Sequence, residues 1–111
     1  MKQFDLWLAD LNPRLGSEAG KIRPVVIIQT DLLNSTHPST IICPITTKVS
    51  VDSEILRVHL YKPNIGLKED SDIMIDHIRT LDNRRLIKKI GVVTTLDSYR
   101  IKENLKIVLD L

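Results

Sequence analysis

The sequence predicts a mainly β protein, most simply a small SH3-like antiparallel barrel with a C-terminal helix. Three observations support this fold class. Short apolar segments recur at intervals of roughly ten residues, which is typical of small barrels. A length of 111 residues with 42% hydrophobic content suits a single domain, residues 1–111, around one core. The end of the chain carries a ragged apolar stripe at helical spacing.

Each element follows from its local pattern. The run Val25 to Ile28 shows no polar alternation and predicts a fully buried strand, whereas the alternation after Ile55 predicts a strand with one wet face that carries Arg57 and His59. Thr94 and Thr95 offer a cap for the closing helix. The predicted strands span 4–11, 24–29, 40–46, 55–60, 71–79 and 86–93, and the helix spans about 96–109.

The polar loop before the buried second strand is the first candidate for chemistry. Arg23 lies at the junction, and Pro24 pushes the backbone of Arg23 toward an extended conformation. Gly16 and Gly20 would allow the loop to fold over an anion that Arg23 holds, and Ser17 could donate a hydrogen bond to a phosphate. An ordinary surface loop with a solvated arginine is the alternative.

Composition excludes several classes of protein. The net charge of +2 is compatible with a polyanionic partner without requiring one. Cys43, the only cysteine, lies in an apolar run, so we expect a small buried side chain and no disulfide within the chain. The three histidines show no metal-ligand spacing, so we expect no metal and no cofactor. No segment has the length of a membrane span or the apolar core of a leader, which predicts a cytoplasmic protein.

Polar residues stand at the ends of otherwise apolar predicted strands, where a curved sheet could bring them together. They are Arg23, Thr46, Asp76, His77 and Arg79. Such a group would suffice for RNA cleavage without a metal, because the ribose 2′-hydroxyl supplies the nucleophile and the protein only moves protons and holds charge. Each residue also has a structural interpretation, with Thr46 as a strand former and Asp76 with Arg79 as an ion pair.

Several motifs in a fixed order resemble those of the MazF/PemK family of toxin endoribonucleases, over nearly the whole chain. They are DLWLADLNP (5–13), GSE (16–18), IRPVV (22–26), PIT (44–46), GL with DS (66–67 and 70–71) and IRTLD (78–82). The resemblance implies an SH3-like homodimer that is the toxin of a toxin-antitoxin module. It implies ribosome-independent, metal-free cleavage of single-stranded mRNA at specific sequences, leaving 2′,3′-cyclic phosphate and 5′-hydroxyl ends. It also implies a MazE-like antitoxin whose acidic C-terminal segment lies in the RNA groove.

The resemblance also implies roles for individual residues. Arg23 and Thr46 match the catalytic pair, and Asp76 and Ser17 match positions of possible catalytic helpers. The expected RNA contacts come from Ser17, Glu18, Lys21, His77 and Arg79.

Three residues depart from the family pattern. Phe4 and Lys21 stand where many members have glycine, and His77 stands where glutamine is usual. We hypothesise that His77 alters the recognised RNA sequence, because an imidazole can read a base edge.

Two other functions remain open from the sequence. A toxin of the CcdB type shares the fold but poisons gyrase by binding; its action is tied to a C-terminal tryptophan segment, whereas the only tryptophan here is Trp7. A non-catalytic barrel that binds RNA or peptide would bind RNA tightly without forming a product.

Overall fold

The computed structural model describes residues 1–12, 16, 21–61 and 66–111. These residues form seven strands and one α-helix, with two short 3-10 turns at Ile75–His77 and Asn83–Arg85. The strands and helix are β1 Asp5–Asp10, β2 Ile22–Ile27, β3 Ser39–Thr46, β4 Arg57–Leu60, β5 Ser71–Met74, β6 Arg79–Asp82, β7 Leu86–Val92 and α1 Thr95–Leu109.

All strand pairs are antiparallel, and the sheet follows the order β4-β5-β3-β2-β1-β7. The long strand β3 organises the sheet, because one edge pairs with β2 while the other pairs first with β6 and then with β5. This sharing of one strand by three neighbours curves the sheet into an open barrel. The predicted fold class, a mainly β barrel-like domain with a C-terminal helix, is confirmed.

The predicted single strand over residues 71–79 is wrong. It is divided into β5, the 3-10 turn Ile75–His77 and β6. Ile73 pairs with Ile45 and Arg79 pairs with Ile42, so five residues span a distance that β3 covers with two. The turn takes up the excess of three residues. Asp76 therefore lies exposed on a turn and does not end a strand.

Helix α1 begins where the sequence predicts. The Thr94 hydroxyl accepts a hydrogen bond from the Asp97 backbone N–H at 3.1 Å, which satisfies one of the donors left open at a helix start. Ile101 is fully buried, and Leu105 and Val108 pack beside it against the core. No helix within the described ranges is long and apolar enough to cross a membrane.

Two apolar clusters form the interior. The first lies between the sheet and α1 and includes Val26, Cys43 and Ile73; the second lies under β1, β2, β3 and β6 and includes Leu11 and Val25. Cys43 is fully buried, as the sequence predicts. Burial raises the pKa of its thiol to about 12, and the nearby charge of Asp76 contributes to that rise.

Candidate active site

The ends of β2 and β3 bring Arg23 and Thr46 together. Val25 pairs with Pro44 and Val26 with Cys43, and continuing this antiparallel register by two residues places Arg23 opposite Thr46. Directly opposed residues share a face of the sheet with Cβ atoms about 4.5–5.5 Å apart. The Arg23 guanidinium also donates to the Ile45 carbonyl at 3.5 Å, which holds the side chain across β3. Both side chains are partly buried at the open end of their strands.

The hydroxyl of Thr46 has a defined role in the local hydrogen bonding. Its Oγ1 accepts from the backbone N–H of Lys48 at 3.2 Å, so the oxygen is fixed at the start of the loop 47–54. Because this bond uses a lone pair, the hydroxyl hydrogen is available for donation to an acceptor in front of the sheet. The arrangement places a permanent cation beside a hydroxyl donor, which suits the binding of an anion.

Asp76 and His77 lie on the 3-10 turn that runs beside β3, between the pairing at Ile42 and the pairing at Ile45. Asp76 is exposed and His77 is partly buried. Arg79 begins β6 opposite Ile42 and is also partly buried. The turn therefore presents these candidates beside the strand that ends at Thr46.

Lys21 lies at the neck of the loop that precedes Arg23. Its backbone N–H donates to Asn12 Oδ1 at 2.8 Å, and its carbonyl accepts from the Leu11 N–H at 2.8 Å. These two bonds close the loop immediately before β2 and leave the lysine side chain exposed. The predicted Ser17 and Glu18 lie outside the described residues.

Phe4 and Lys21, the two positions where the resemblance leads us to expect glycine, both have positive φ angles, of 69° and 67°. This left-handed backbone is freely adopted by glycine but is strained for residues with a Cβ. Phe4 is held there by two backbone bonds, one to the Ile27 carbonyl at 2.7 Å and one from the Val93 N–H at 3.1 Å. These two bonds hold the backbone of Phe4 in the left-handed conformation. Phe4 and Lys21 therefore both carry backbone strain.

A polar cluster that the sequence analysis did not identify lies next to Thr46. Asp72 on β5 is opposite Thr46 on one side and opposite His59 on the other, and it is fully buried. Its carboxylate contacts Arg57 and His59, which the sequence placed correctly on one face of a strand. The alternation of polar and apolar residues in β4 indicated the face that carries Arg57 and His59. Only the pairing of β4 with β5 brings the carboxylate of Asp72 to that face.

Comparison with known proteins adds an independent result. Residues 2–109 match the family model described as the PemK-like, MazF-like toxin of type II toxin-antitoxin systems. The chain is 42% identical over 103 residues to Endoribonuclease MazF of Staphylococcus saprophyticus, which covers 93% of this chain and 83% of that protein.

Solved structures share the fold. MazF (Form-I) from Deinococcus radiodurans has a TM-score of 0.87 at 20% identity, covering 100% of this chain and 97% of that chain. The Mycobacterium tuberculosis toxin MazF-mt6 has a TM-score of 0.82 at 22% identity, covering 96% and 97% respectively.

The fold together with these matches defines a toxin of the endoribonuclease class. The chain belongs to the PemK-like, MazF-like toxin family of type II toxin-antitoxin systems. The family and the class of enzyme predicted from the sequence are thus confirmed. The roles of individual residues stay predictions.

Proposed function

We propose that this toxin cleaves single-stranded RNA at specific sequences, without a metal or cofactor and without the ribosome, and that Arg23 and Thr46 form its catalytic pair. The observation that carries the proposal is the antiparallel register of β2 and β3, which pairs Val25 with Pro44 and, continued by two residues, brings Arg23 opposite Thr46. A cation and a hydroxyl donor held on neighbouring strands can bind one phosphate group from two sides.

In this reaction the ribose 2′-oxygen attacks the adjacent phosphorus, and the bond from phosphorus to the 5′-oxygen breaks. The 2′-hydroxyl loses its proton and the 5′-oxygen gains one, so the products carry a 2′,3′-cyclic phosphate and a 5′-hydroxyl. Arg23 stabilises the added negative charge on the phosphorane, and its permanently protonated guanidinium is poorly suited to act as a base. Thr46 donates its hydroxyl hydrogen to a phosphate oxygen.

Asp76 is our candidate to accept the 2′-hydroxyl proton, because its carboxylate is exposed on the turn beside β3. Ser17, six residues before Arg23 in the sequence, is a second candidate helper. We assign RNA contacts to the loop and the turn, with Ser17, Glu18, Lys21, His77 and Arg79 as the contacting residues. In this proposal Lys21 and Arg79 supply charge for phosphates, and the imidazole of His77 reads a base edge.

The proposal includes partners. We propose that the protein acts as a homodimer in the cytoplasm and is inhibited by a MazE-like antitoxin whose acidic segment occupies the RNA groove. Two structural relatives support this: an endoribonuclease from a mycobacterial species solved in complex with its cognate antitoxin, and a MazE-MazF complex from Deinococcus radiodurans. A positive surface that binds RNA would also attract an acidic peptide.

The test is an incubation of the purified protein with a long single-stranded RNA in the presence of EDTA, with mapping of cut sites and end groups. We expect discrete cuts with cyclic phosphate ends. Arg23→Ala should lower the rate by about 100- to 1,000-fold, the cost of removing one transition-state charge donor. Arg84→Ala is the matched control, because Arg84 is 91% exposed and pairs only locally with Asp82, and it should cut at the wild-type rate.

Four outcomes would contradict the proposal. Cuts that disappear with EDTA would exclude the metal-free reaction. Equal activity of Arg23→Ala and Arg84→Ala would exclude Arg23 as a catalytic residue. Tight RNA binding without cuts on several RNAs would favour a binding-only barrel, and no cuts with inhibition of gyrase would favour a toxin of the CcdB type.

A further inference from the structure

Asp72 is a buried carboxylate in the middle of the polar face that carries Thr46. Its exposed fraction is 0%. In the sheet register it lies between Thr46 on β3 and His59 on β4. Because directly opposed residues share a face, the three side chains form one row across the strands, which begins at the proposed catalytic threonine.

Both carboxylate oxygens of Asp72 are occupied. One oxygen, Oδ2, accepts from the Ser50 backbone N–H at 2.8 Å and from the Arg57 guanidinium at 3.2 Å. The other, Oδ1, lies 2.5 Å from Nδ1 of His59. Burying a carboxylate away from water costs free energy unless the group is paired with a charge and hydrogen-bonded. Ser50, Arg57 and His59 together meet that requirement.

The partners of Asp72 lead back to Thr46 through the loop that follows it. Arg57 donates to the Lys48 carbonyl at 3.3 Å, and the Lys48 N–H donates to Thr46 Oγ1 at 3.2 Å. Asp72 also holds the loop directly through Ser50. Most of the loop 47–54 is solvent-exposed, so these bonds to the sheet restrict it where apolar packing does not.

We propose that Asp72 is a positioning residue for RNA cleavage: it anchors the loop 47–54 through Ser50 and Arg57 and so fixes the hydroxyl of Thr46. This inference rests on the proposed function. The side chain of Asp72 does not touch the phosphate; it acts through Lys48 and Arg57. The required property is an accepting oxygen for Ser50 and Arg57, and the negative charge is secondary.

Two substitutions separate these properties. Asp72→Asn keeps an oxygen for Ser50 and Arg57, and its amide N–H can donate to His59 Nδ1 if the imidazole carries its proton on Nε2. Asp72→Val removes both acceptors and keeps a strand-forming side chain. Val58→Ala is the control for a loss of stability alone, because Val58 is 2% exposed and lies on the core face of β4.

The two readouts are amide hydrogen exchange of Ser50 and steady-state cleavage of an RNA oligonucleotide, both at a temperature where every variant is folded. In Asp72→Val we expect exchange of Ser50 at least about 10-fold faster and kcat about 10- to 100-fold lower with KM nearly unchanged, because the reacting groups are misplaced. Asp72→Asn should restore kcat to within about 3-fold of wild type. Val58→Ala should change neither readout.

An equal kcat in Asp72→Val and Val58→Ala would overturn the proposal, and so would unchanged exchange of Ser50 in Asp72→Val. A kcat in Asp72→Asn as low as that of Asp72→Val would overturn the assignment to the accepting oxygen. If the wild-type protein cleaves no RNA, the proposed function fails; exchange of Ser50 then still decides whether Asp72 anchors the loop.

Discussion

Replacing Lys21 with glycine should stabilise this protein. Lys21 has a φ of 67°, and its backbone is fixed by hydrogen bonds to Asn12 and Leu11. A residue with a Cβ in this conformation is strained by about 1–2 kcal/mol. Glycine removes that strain but adds about 0.5–1 kcal/mol of unfolded-state entropy. The net gain is about 0.5–1 kcal/mol, since the exposed lysine side chain contributes little packing.

The gain can be measured as a shift in the thermal midpoint. A chain of 111 residues has an unfolding entropy of about 0.23 kcal/mol per kelvin, so Lys21→Gly should raise Tm by about 2–4 °C. The protein concentration must be held constant, because the proposed dimerisation would make Tm concentration-dependent. Lys21→Asn should give an intermediate value, because asparagine tolerates positive φ.

Lys21→Ala is the decisive control, because it removes the charge and the long side chain but keeps the Cβ. We expect no gain in stability from it. If Lys21→Ala stabilised the protein as much as Lys21→Gly, the effect would come from the lysine side chain, and the argument from backbone strain would be refuted. Both variants should weaken RNA binding equally, since both lose the same positive charge.

Three further predictions concern other parts of the chain. Gly66→Ala should lower the free energy of unfolding in denaturant titration by more than about 1 kcal/mol, because its φ is 83° and a Cβ would lie 2.6 Å from the Ile90 carbonyl oxygen. Gly16→Ala, with a φ of 56° and no atom of the described residues within 4 Å of the added Cβ, should cost less. Burial raises the pKa of the Cys43 thiol to about 12. The thiol should therefore react with a disulfide reagent at pH 8 about 1,000-fold more slowly in the folded than in the unfolded protein. Equal rates would contradict its burial. His77→Gln should change the cleaved RNA sequence, and identical cut sites would exclude His77 as a reader of bases.

Family motifs and local patterns together identified the main candidates for the site. Resemblance in the Arg-Pro-Val and Ile-Thr segments indicated Arg23 and Thr46, and the apolar runs beside them indicated buried strands. Their opposition across β2 and β3 required the observed register, because a shift of one residue would turn one of the side chains to the other face. The break within residues 71–79 was not predicted, although the adjacent polar residues Asp76 and His77 interrupt the apolar run that ends at Ile75. The turn is needed because β5 and β6 pair with two separate parts of β3, and a local pattern does not show that pairing.

The sequence by itself determined the local elements: a mainly β chain, the capped helix α1, the buried Cys43, and the positions of Arg23 and Thr46 near the ends of β2 and β3. Those features depend on the period of apolar side chains and on helix capping, and both are determined by residues that are close together in the sequence. The tertiary structure alone decided the environment of Asp72, whose partners Ser50 and His59 lie 22 and 13 residues away along the chain. Such contacts depend on which strands pair and in which register, and these are set by the packing of the whole sheet.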